Sequence, residues 1–275
     1  MTALAAPSRP ELKPLADNAL KGASVFWFAT AVAGQWTFVY YIASFYGAST
    51  LAGRFEAWRK NDSLIKGYVA GDHVGNLYFA AHVLMAALIT ASGALQLVPQ
   101  VRVRAMAFHR WNGRLYISTA FLMALGGLWL IWVRGTYLTL YGAASSTLLA
   151  SLIMTCAAMT LRQALARQLD SHRRWALRTF MVVNGVWFQR LGYMAWLVIN
   201  RGPVGIGKNM DGPFDIFWGF ASYLLPLAVL ELYQRTKHGA GPGGRLAMAG
   251  GLVGLTLLMG VGIVSTYLLM WRPLL

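Results

Sequence analysis

Charged residues are scarce in this chain. They make up 12% of its 275 residues, whereas soluble domains carry about 25%. Hydrophobic residues reach 57% and lie in blocks of about 20 residues, the length that a helix needs to cross a membrane. This composition excludes an ordinary soluble enzyme, because too few charges are available to cover a globule of this size.

Cysteine and several catalytic motifs are also missing. The single Cys156 lies in an apolar run, which excludes an intrachain disulfide, a multi-cysteine zinc site and a multi-cysteine iron–sulfur site. No Walker loop, dinucleotide fingerprint, His-x-x-x-His pair or Gly-x-Ser-x-Gly elbow is present, so nucleotide hydrolysis, zincin proteolysis and hydrolase chemistry have no support. The last apolar run contains no lysine for a retinal Schiff base, which sets rhodopsins aside.

Acidic residues are few as well. Nine Asp and Glu stand against 24 Lys and Arg, for a net charge of +15. In a soluble protein this balance would suggest a nucleic-acid partner. Here the basic residues cluster at the ends of apolar runs, the pattern that membrane insertion and anionic headgroups produce. We therefore expect a lipid bilayer, and no nucleic acid, as the partner.

The apolar runs predict an all-α protein, a polytopic transmembrane helix bundle of about seven spans. The runs lie at about 23–46, 77–98, 113–133, 141–161, 176–199, 214–234 and 246–270. Lys and Arg are more frequent on the side of the N-terminus, so the positive-inside rule predicts a cytoplasmic N-terminus. A six-span version with one missed boundary stays open.

The chain divides into a short tail and one membrane domain. Residues 1–22 are polar and interrupted by proline, which predicts a flexible cytoplasmic tail, and residues 23–275 form the transmembrane helical domain. The last span carries a Gly250-xxx-Gly254 pair, a pattern that permits two helices to approach closely.

Ionisable groups inside spans are costly, so each one is a candidate functional residue. His82 lies in the second span and Arg190 in the fifth, and the two could lie one turn apart in depth. Helical spacing puts Trp187 and Tyr193 near Arg190, which predicts an aromatic-walled pocket for a carboxylate, a carbonyl or a haem propionate.

Both residues also have a purely structural interpretation. Arg190 could pair with backbone carbonyls or with an acid of the protein, and His82 could hydrogen-bond a neighbouring helix. The functional alternatives for His82 are an axial haem ligand, a proton-transfer group for a quinone, or part of an outer metal site with Asp72 and His73.

A second candidate site lies on the predicted cytoplasmic side. His109 and His172 begin the third and fifth spans, beside Arg114 and several other arginines. Two imidazoles from different helices at equal depth are what a bis-histidine haem needs, and the arginines also suit phosphate headgroups. Glu231 is the natural countercharge for this cluster. The alternative is that these residues only anchor the helix ends.

A quasi-repeat marks the same two spans. The segments Arg110-Trp111-x-x-Arg114-x-Tyr116 and Arg174-Trp175-x-x-Arg178-x-Phe180 share one pattern. Two explanations stay open: convergent use of arginine and aromatic anchors at the membrane interface, or two related helical hairpins in parallel orientation.

One signature resembles a known family. It consists of His82, Gly93-Ala-Leu-Gln96-Leu, Arg102-x-Arg104, His109-Arg110-x-x-Gly113-Arg114-x-Tyr116, His172-Arg173-Arg174-x-x-x-Arg178 and Arg190. This run, over about residues 77–200, resembles an uncharacterised bacterial family of polytopic membrane proteins with a domain of unknown function. The resemblance implies a multi-helix membrane fold and places His82, His109, Arg114, His172 and Arg190 at its motif positions. The helix-end histidines are also similar to those of cytochrome b561-like membrane cytochromes, although His82 lacks a histidine partner at its own depth.

We therefore predict a multi-pass protein of the bacterial inner (plasma) membrane that binds haem b or a quinone in its bundle, with electron transfer as the associated role. His82, His109 and His172 are the candidate haem iron ligands, and Arg190, Arg114, Tyr193 and Trp187 complete the predicted cofactor-binding residues. Two alternatives remain: a transporter or receptor that binds a small organic anion at Arg190, and a non-catalytic subunit or assembly factor with partner proteins in a larger membrane complex.

Overall fold

The computed structural model describes residues 9–61 and 67–275, which contain helices and no strand. The ten α-helices within these residues are α1 (Arg9–Tyr41), α2 (Ala48–Leu51), α3 (His73–Leu97), α4 (Pro99–Arg104), α5 (Met106–Trp132), α6 (Leu140–Leu165), α7 (Leu169–Val183), α8 (Gly185–Ile199), α9 (Pro213–Gly239) and α10 (Pro242–Thr266). A π-helical turn, Ile42–Gly47, joins α1 to α2, and a second one, Tyr267–Trp271, extends α10.

The long helices form one closed bundle. Helix α1 packs against α3 and α10, α3 packs against α5, and α5 packs against α6. Helix α6 packs against α7 and α9, while α8 packs against α9 and α10, which closes the ring. We call the end at which α1, α5, α7 and α10 begin the basic end, and the other end the opposite end.

Local sequence signals set where several helices begin. The Asp72 carboxylate accepts a backbone N–H at 2.8 Å and caps α3, and the Thr139 hydroxyl accepts one at 3.0 Å and caps α6. Pro99, Pro213 and Pro242 occupy the first turns of α4, α9 and α10. Proline is tolerated there because the backbone N–H that it lacks would have no partner within the helix.

Five of these helices are long and apolar enough to cross a membrane, within the two described stretches of chain. They are α3, α5, α6, α9 and α10. The other two of the seven predicted spans are α1 and the α7–α8 pair. Helix α1 carries the polar Gln35 among many aromatic residues, and α7 and α8 have 15 residues each, fewer than the roughly 20 that one crossing requires.

The predicted fifth span is broken at Asn184. Its side-chain Nδ2 donates to the carbonyl of Phe180 at 2.8 Å, and its Oδ1 accepts from Gln35 Nε2 at 2.9 Å. Such side-chain hydrogen bonds compete with the helical ladder. The next residue, Gly185, lies so close to α9 that a Cβ atom would be 2.9 Å from Tyr223 Cβ. The apolar run therefore contains two helices that meet at a buried polar contact.

The start of the chain also differs from the sequence prediction. Helix α1 begins at Arg9, so residues 9–22, which composition assigns to a flexible tail, are helical, and residues 1–8 lie outside the described residues. Asp17 forms an ion pair with Arg245 of α10, and Leu20 packs against α10 in a small buried cluster. Docking on α10 explains why this polar segment is ordered.

Helix α10 packs closely against α8 at Gly262, and not at the predicted glycine pair. No heavy atom of another described element lies within 4 Å of a Cβ built on Gly250 or Gly254, whereas a Cβ on Gly262 would be 2.8 Å from the carbonyl oxygen of Leu191 in α8. The prediction that the Gly250-xxx-Gly254 pair packs closely is therefore wrong within this chain. The motif has the right spacing, but it lies on a face of α10 that no other helix of the described chain contacts within 4 Å.

Candidate ligand-binding cavity

A cavity of about 1710 Å³ lies between the helices. It runs from the basic end, where Arg102 and Lys237 line it, to Trp196 and Phe214 near the opposite end. Small-molecule pockets are about 300–1,000 Å³, so this cavity is larger than a compact ligand needs. Its walls include many apolar side chains, such as those of Leu97, Ile117, Leu177, Leu230 and Met259. The shape suits a long molecule with an apolar body.

The cavity brings together some of the predicted site residues and not others. Those that line it are His109, Arg114 and His172. Those that do not are His82, Trp187, Arg190 and Tyr193.

Helix α5 presents a polar stripe to the cavity. His109, Gly113 and Tyr116 are spaced four and three residues apart, so they share one face of the helix, and all three line the cavity. The Nδ1 of His109 and the hydroxyl of Tyr116 are buried without a hydrogen-bond partner in the described part of the chain. His109 and Tyr116 are seven residues apart, which is a rise of about 10 Å along the helix axis.

Two more elements add polar groups to this cavity. Gln234 of α9 lines it, and its Nε2 is buried and also lacks a partner among the described residues. His172 Nδ1 lies 3.0 Å from the carbonyl oxygen of Thr160 in α6. A carbonyl can only accept, so Nδ1 carries a proton in this contact, and Nε2 is the ring nitrogen left to contact a ligand.

The basic end contains one well-formed ion pair. Arg178 donates to both carboxylate oxygens of Glu231, at 2.6 and 2.9 Å, and so joins α7 to α9. This pair confirms Glu231 as a countercharge for the cluster. The guanidinium carbon of Arg178 also lies 4.7 Å from the ring centroid of Trp175.

His82 lies at the contact between α3 and α5. A Cβ on Gly126 would be 3.3 Å from His82 Nδ1, and one on Gly127 would be 3.6 Å from its Cε1. The Nδ1 of His82 is buried without a hydrogen-bond partner among the described residues, so the hydrogen bond to a neighbouring helix that the structural interpretation expects is not found there. Its ligand role stays a prediction.

The predicted outer metal site finds no support in the described residues, which hold no group of three metal-ligating side chains. Asp72 is already engaged, because its carboxylate caps α3 and accepts from Arg134 Nε at 3.0 Å. The Gly75 backbone N–H and the Arg134 guanidinium lower the pKa of Asp72. The carboxylate is thus held as the anionic half of an ion pair that links the start of α3 to the end of α5.

Arg190 lies between α8 and α1. Its guanidinium carbon is 5.7 Å from the ring centroid of Phe38, and its Nη1 donates to the carbonyl of Val186 at 3.0 Å. One turn away, Trp187 is buried against Gly34 of α1. No ion pair of Arg190 occurs among the described residues. Its carbonyl contact matches the structural interpretation, and anion binding at Arg190 stays a prediction.

Tyr193 does not contribute to the Arg190 pocket as its spacing predicts. Its hydroxyl donates to the buried carboxylate of Asp215 at 3.0 Å, and the same carboxylate accepts backbone N–H groups of Gly207 and Gly212 at 2.7 and 2.9 Å. Tyr193 therefore fastens the loop before α9. The aromatic wall beside Arg190 comes from Phe38 of α1, a helix that spacing along α8 cannot reveal.

Three polar residues inside the bundle are not among the predicted site residues: Gln35, Asn184 and Gln234. All three are buried. Ionisable groups inside spans are the candidates that the sequence supplies, but burying an uncharged amide is also costly unless it is hydrogen-bonded. Uncharged polar side chains within apolar runs are therefore the signal that could have identified them.

Comparison with known proteins agrees with this fold. Residues 79–205 match the model of a family described as a predicted membrane protein, DUF2306. The chain is therefore an integral membrane protein. The matched segment runs from α3 to the loop after α8 and contains every predicted site residue of this membrane protein. No curated protein and no solved structure matches the chain, so the resemblance to membrane cytochromes stays a prediction.

Proposed function

We propose that this membrane protein binds a quinone in the cavity. The observation that carries the proposal is that three buried polar atoms without a partner in the described chain, His109 Nδ1, Tyr116 Oη and Gln234 Nε2, belong to side chains lining one cavity. All three can donate a hydrogen bond. A quinone has two carbonyl acceptors and no donor, and its prenyl tail is apolar.

The free-energy cost of burying unpaired donors favours a ligand with hydrogen-bond acceptors. Each buried donor without a partner costs about 1–3 kcal/mol, and an acceptor placed between α5 and α9 removes that cost. His109 and Tyr116 lie two turns apart on one face of α5, so the two carbonyls of one ring would each face one of these side chains. The apolar walls toward Met259 and Trp196 then accommodate the tail.

The proposal includes the membrane topology. Helix α1 and the α7–α8 pair complete seven spans, the N-terminus is cytoplasmic, and the protein lies in the bacterial inner membrane. The excess of Lys and Arg at the basic end supports this orientation, since cytoplasmic loops retain positive charge.

The test is quinone binding by the protein purified in mild detergent. We expect quinone in a solvent extract, and saturable binding of an added short-chain benzoquinone or naphthoquinone. Tyr116→Phe removes one donor while keeping the ring, so we expect binding to weaken by about tenfold at most.

Tyr78→Phe is the matched control. Tyr78 lies on α3, its ring packs against Trp129, and it does not line the cavity, so its loss should leave quinone affinity unchanged. A preparation from quinone-replete cells that contains no quinone and binds neither probe would remove the proposal.

Haem b held by His109 and His172 is the second candidate. The hydrogen bond from His172 Nδ1 to the Thr160 carbonyl favours it, because haem-ligating histidines coordinate through Nε2 when Nδ1 is fixed in this way. We expect a Soret band with sharp reduced α and β bands that His172→Ala abolishes. A featureless dithionite-reduced spectrum of protein from haem-replete cells would contradict it.

A further inference from the structure

Several positive charges around the cavity have no acidic partner in the described chain. At the basic end, three arginines form an ion pair with a described acid: Arg178 with Glu231, Arg245 with Asp17 and, at the exposed surface, Arg173 with Asp170. Five other basic residues line the cavity at the basic end and form no ion pair with a described residue: Arg102, Arg110, Arg114, Arg174 and Lys237. We call these five the basic rim.

The quasi-repeat shows where the excess charge is concentrated. The guanidinium carbon of Arg114 lies 4.7 Å from the Trp111 ring centroid, the same distance as between Arg178 and Trp175. The two halves therefore have the same arginine–tryptophan contact. Only Arg178 has a carboxylate, however, and three of the five rim residues, Arg102, Arg110 and Arg114, lie on the α4–α5 side of the cavity.

Membrane topology alone does not explain this arrangement. The positive-inside rule requires Lys and Arg near the ends of spans, but it does not require them to line one cavity with apolar walls. A basic opening above an apolar interior fits a ligand with an anionic head and hydrocarbon chains. The guanidinium groups match the oxygens of a phosphate in pairs of hydrogen bonds.

We propose that the basic rim binds the phosphodiester headgroup of an anionic diacyl lipid, whose acyl chains enter the cavity between the helices. The rim is at the depth of lipid phosphates, because it lies where α5 and α7 begin. Exposed Trp111 anchors the same level of the bundle in the interface. The rim residues are different from the buried donors assigned to quinone, although both ligands would place their apolar chains in the same cavity.

The experiment compares lipids retained by the wild-type protein and by an Arg110→Gln/Arg114→Gln variant after purification in mild detergent. Mass spectrometry of the intact protein should show bound phosphatidylglycerol or cardiolipin on the wild type. Each arginine lost should weaken retention by about fivefold, so the double variant should retain little. Arg104→Gln is the control, because Arg104 is exposed at the same end of the bundle but does not line the cavity.

Three results would overturn the proposal: no anionic lipid on the wild type, equal retention of a zwitterionic lipid, or displacement of the lipid by millimolar inorganic phosphate, which would assign the site to free phosphate. A melting curve of each variant excludes misfolding. Quinone content is measured separately in the same extracts, and Tyr116→Phe should keep its lipid, so failure of one site can be distinguished from failure of the other.

Discussion

Gly262→Leu is expected to destabilise the protein by about 3 kcal/mol, the upper range for overpacking a tight contact. A Cβ at this position would lie 2.8 Å from the carbonyl oxygen of Leu191 and 3.0 Å from its Cβ. Because a backbone atom cannot rotate away, α8 and α10 would have to separate. The measurement is equilibrium unfolding in mixed micelles with increasing sodium dodecyl sulfate.

Gly254→Leu is the matched control on the same helix. It introduces the same side chain, but a Cβ there meets no atom of another described helix within 4 Å, and leucine is favourable on a lipid-facing surface. We expect a change within about 0.5 kcal/mol. Equal losses in the two variants would mean that α10 is oriented differently from this structure.

Glu231→Gln should cost about 2–3 kcal/mol of stability, since both of its hydrogen bonds to Arg178 are charge-assisted. The side chains of Arg178 and Glu231 are 21% and 34% exposed, so water reaches them only in part. The substitution leaves Arg178 without its carboxylate between α7 and α9. Unfolding in the same mixed micelles measures the loss.

Asp170→Asn provides the comparison. Asp170 pairs with Arg173 at 3.2 Å, but the side chains of Arg173 and Asp170 are 63% and 86% exposed, so its removal should change stability by less than about 0.5 kcal/mol. Adding Arg178→Met to Glu231→Gln should recover part of the loss, because no unpaired charge remains. No recovery in the double variant would show that the ion pair is not the cause.

The helices themselves were largely predictable. Apolar runs predicted the spans at 141–161 and 214–234, and the structure has helices at Leu140–Leu165 and Pro213–Gly239. Apolar length is a local property, so each run could be recognised by itself. The break at Asn184 was not predicted, because it depends on hydrogen bonds to Phe180 and to Gln35 of a distant helix.

The candidate sites were predictable in part. The motif around His109 and the one around His172 were identified from charge and spacing, and the structure brings both histidines to one cavity. The hydrogen-bond partner of Tyr193 was not predicted, since Asp215 lies on the next helix. Spacing shows which residues share a face of one helix, but it does not show which helix that face meets.

Composition and the apolar runs by themselves determined that this is a helical membrane protein with its excess of positive charge at the helix ends. Only the tertiary structure decided which polar groups are satisfied. Glu231 forms an ion pair with Arg178, and Asp215 accepts a hydrogen bond from Tyr193. In contrast, His109, Tyr116 and Gln234 each have a buried polar atom without a described partner. Burial follows from hydrophobicity along the chain, but a hydrogen bond between helices depends on how they are rotated and packed.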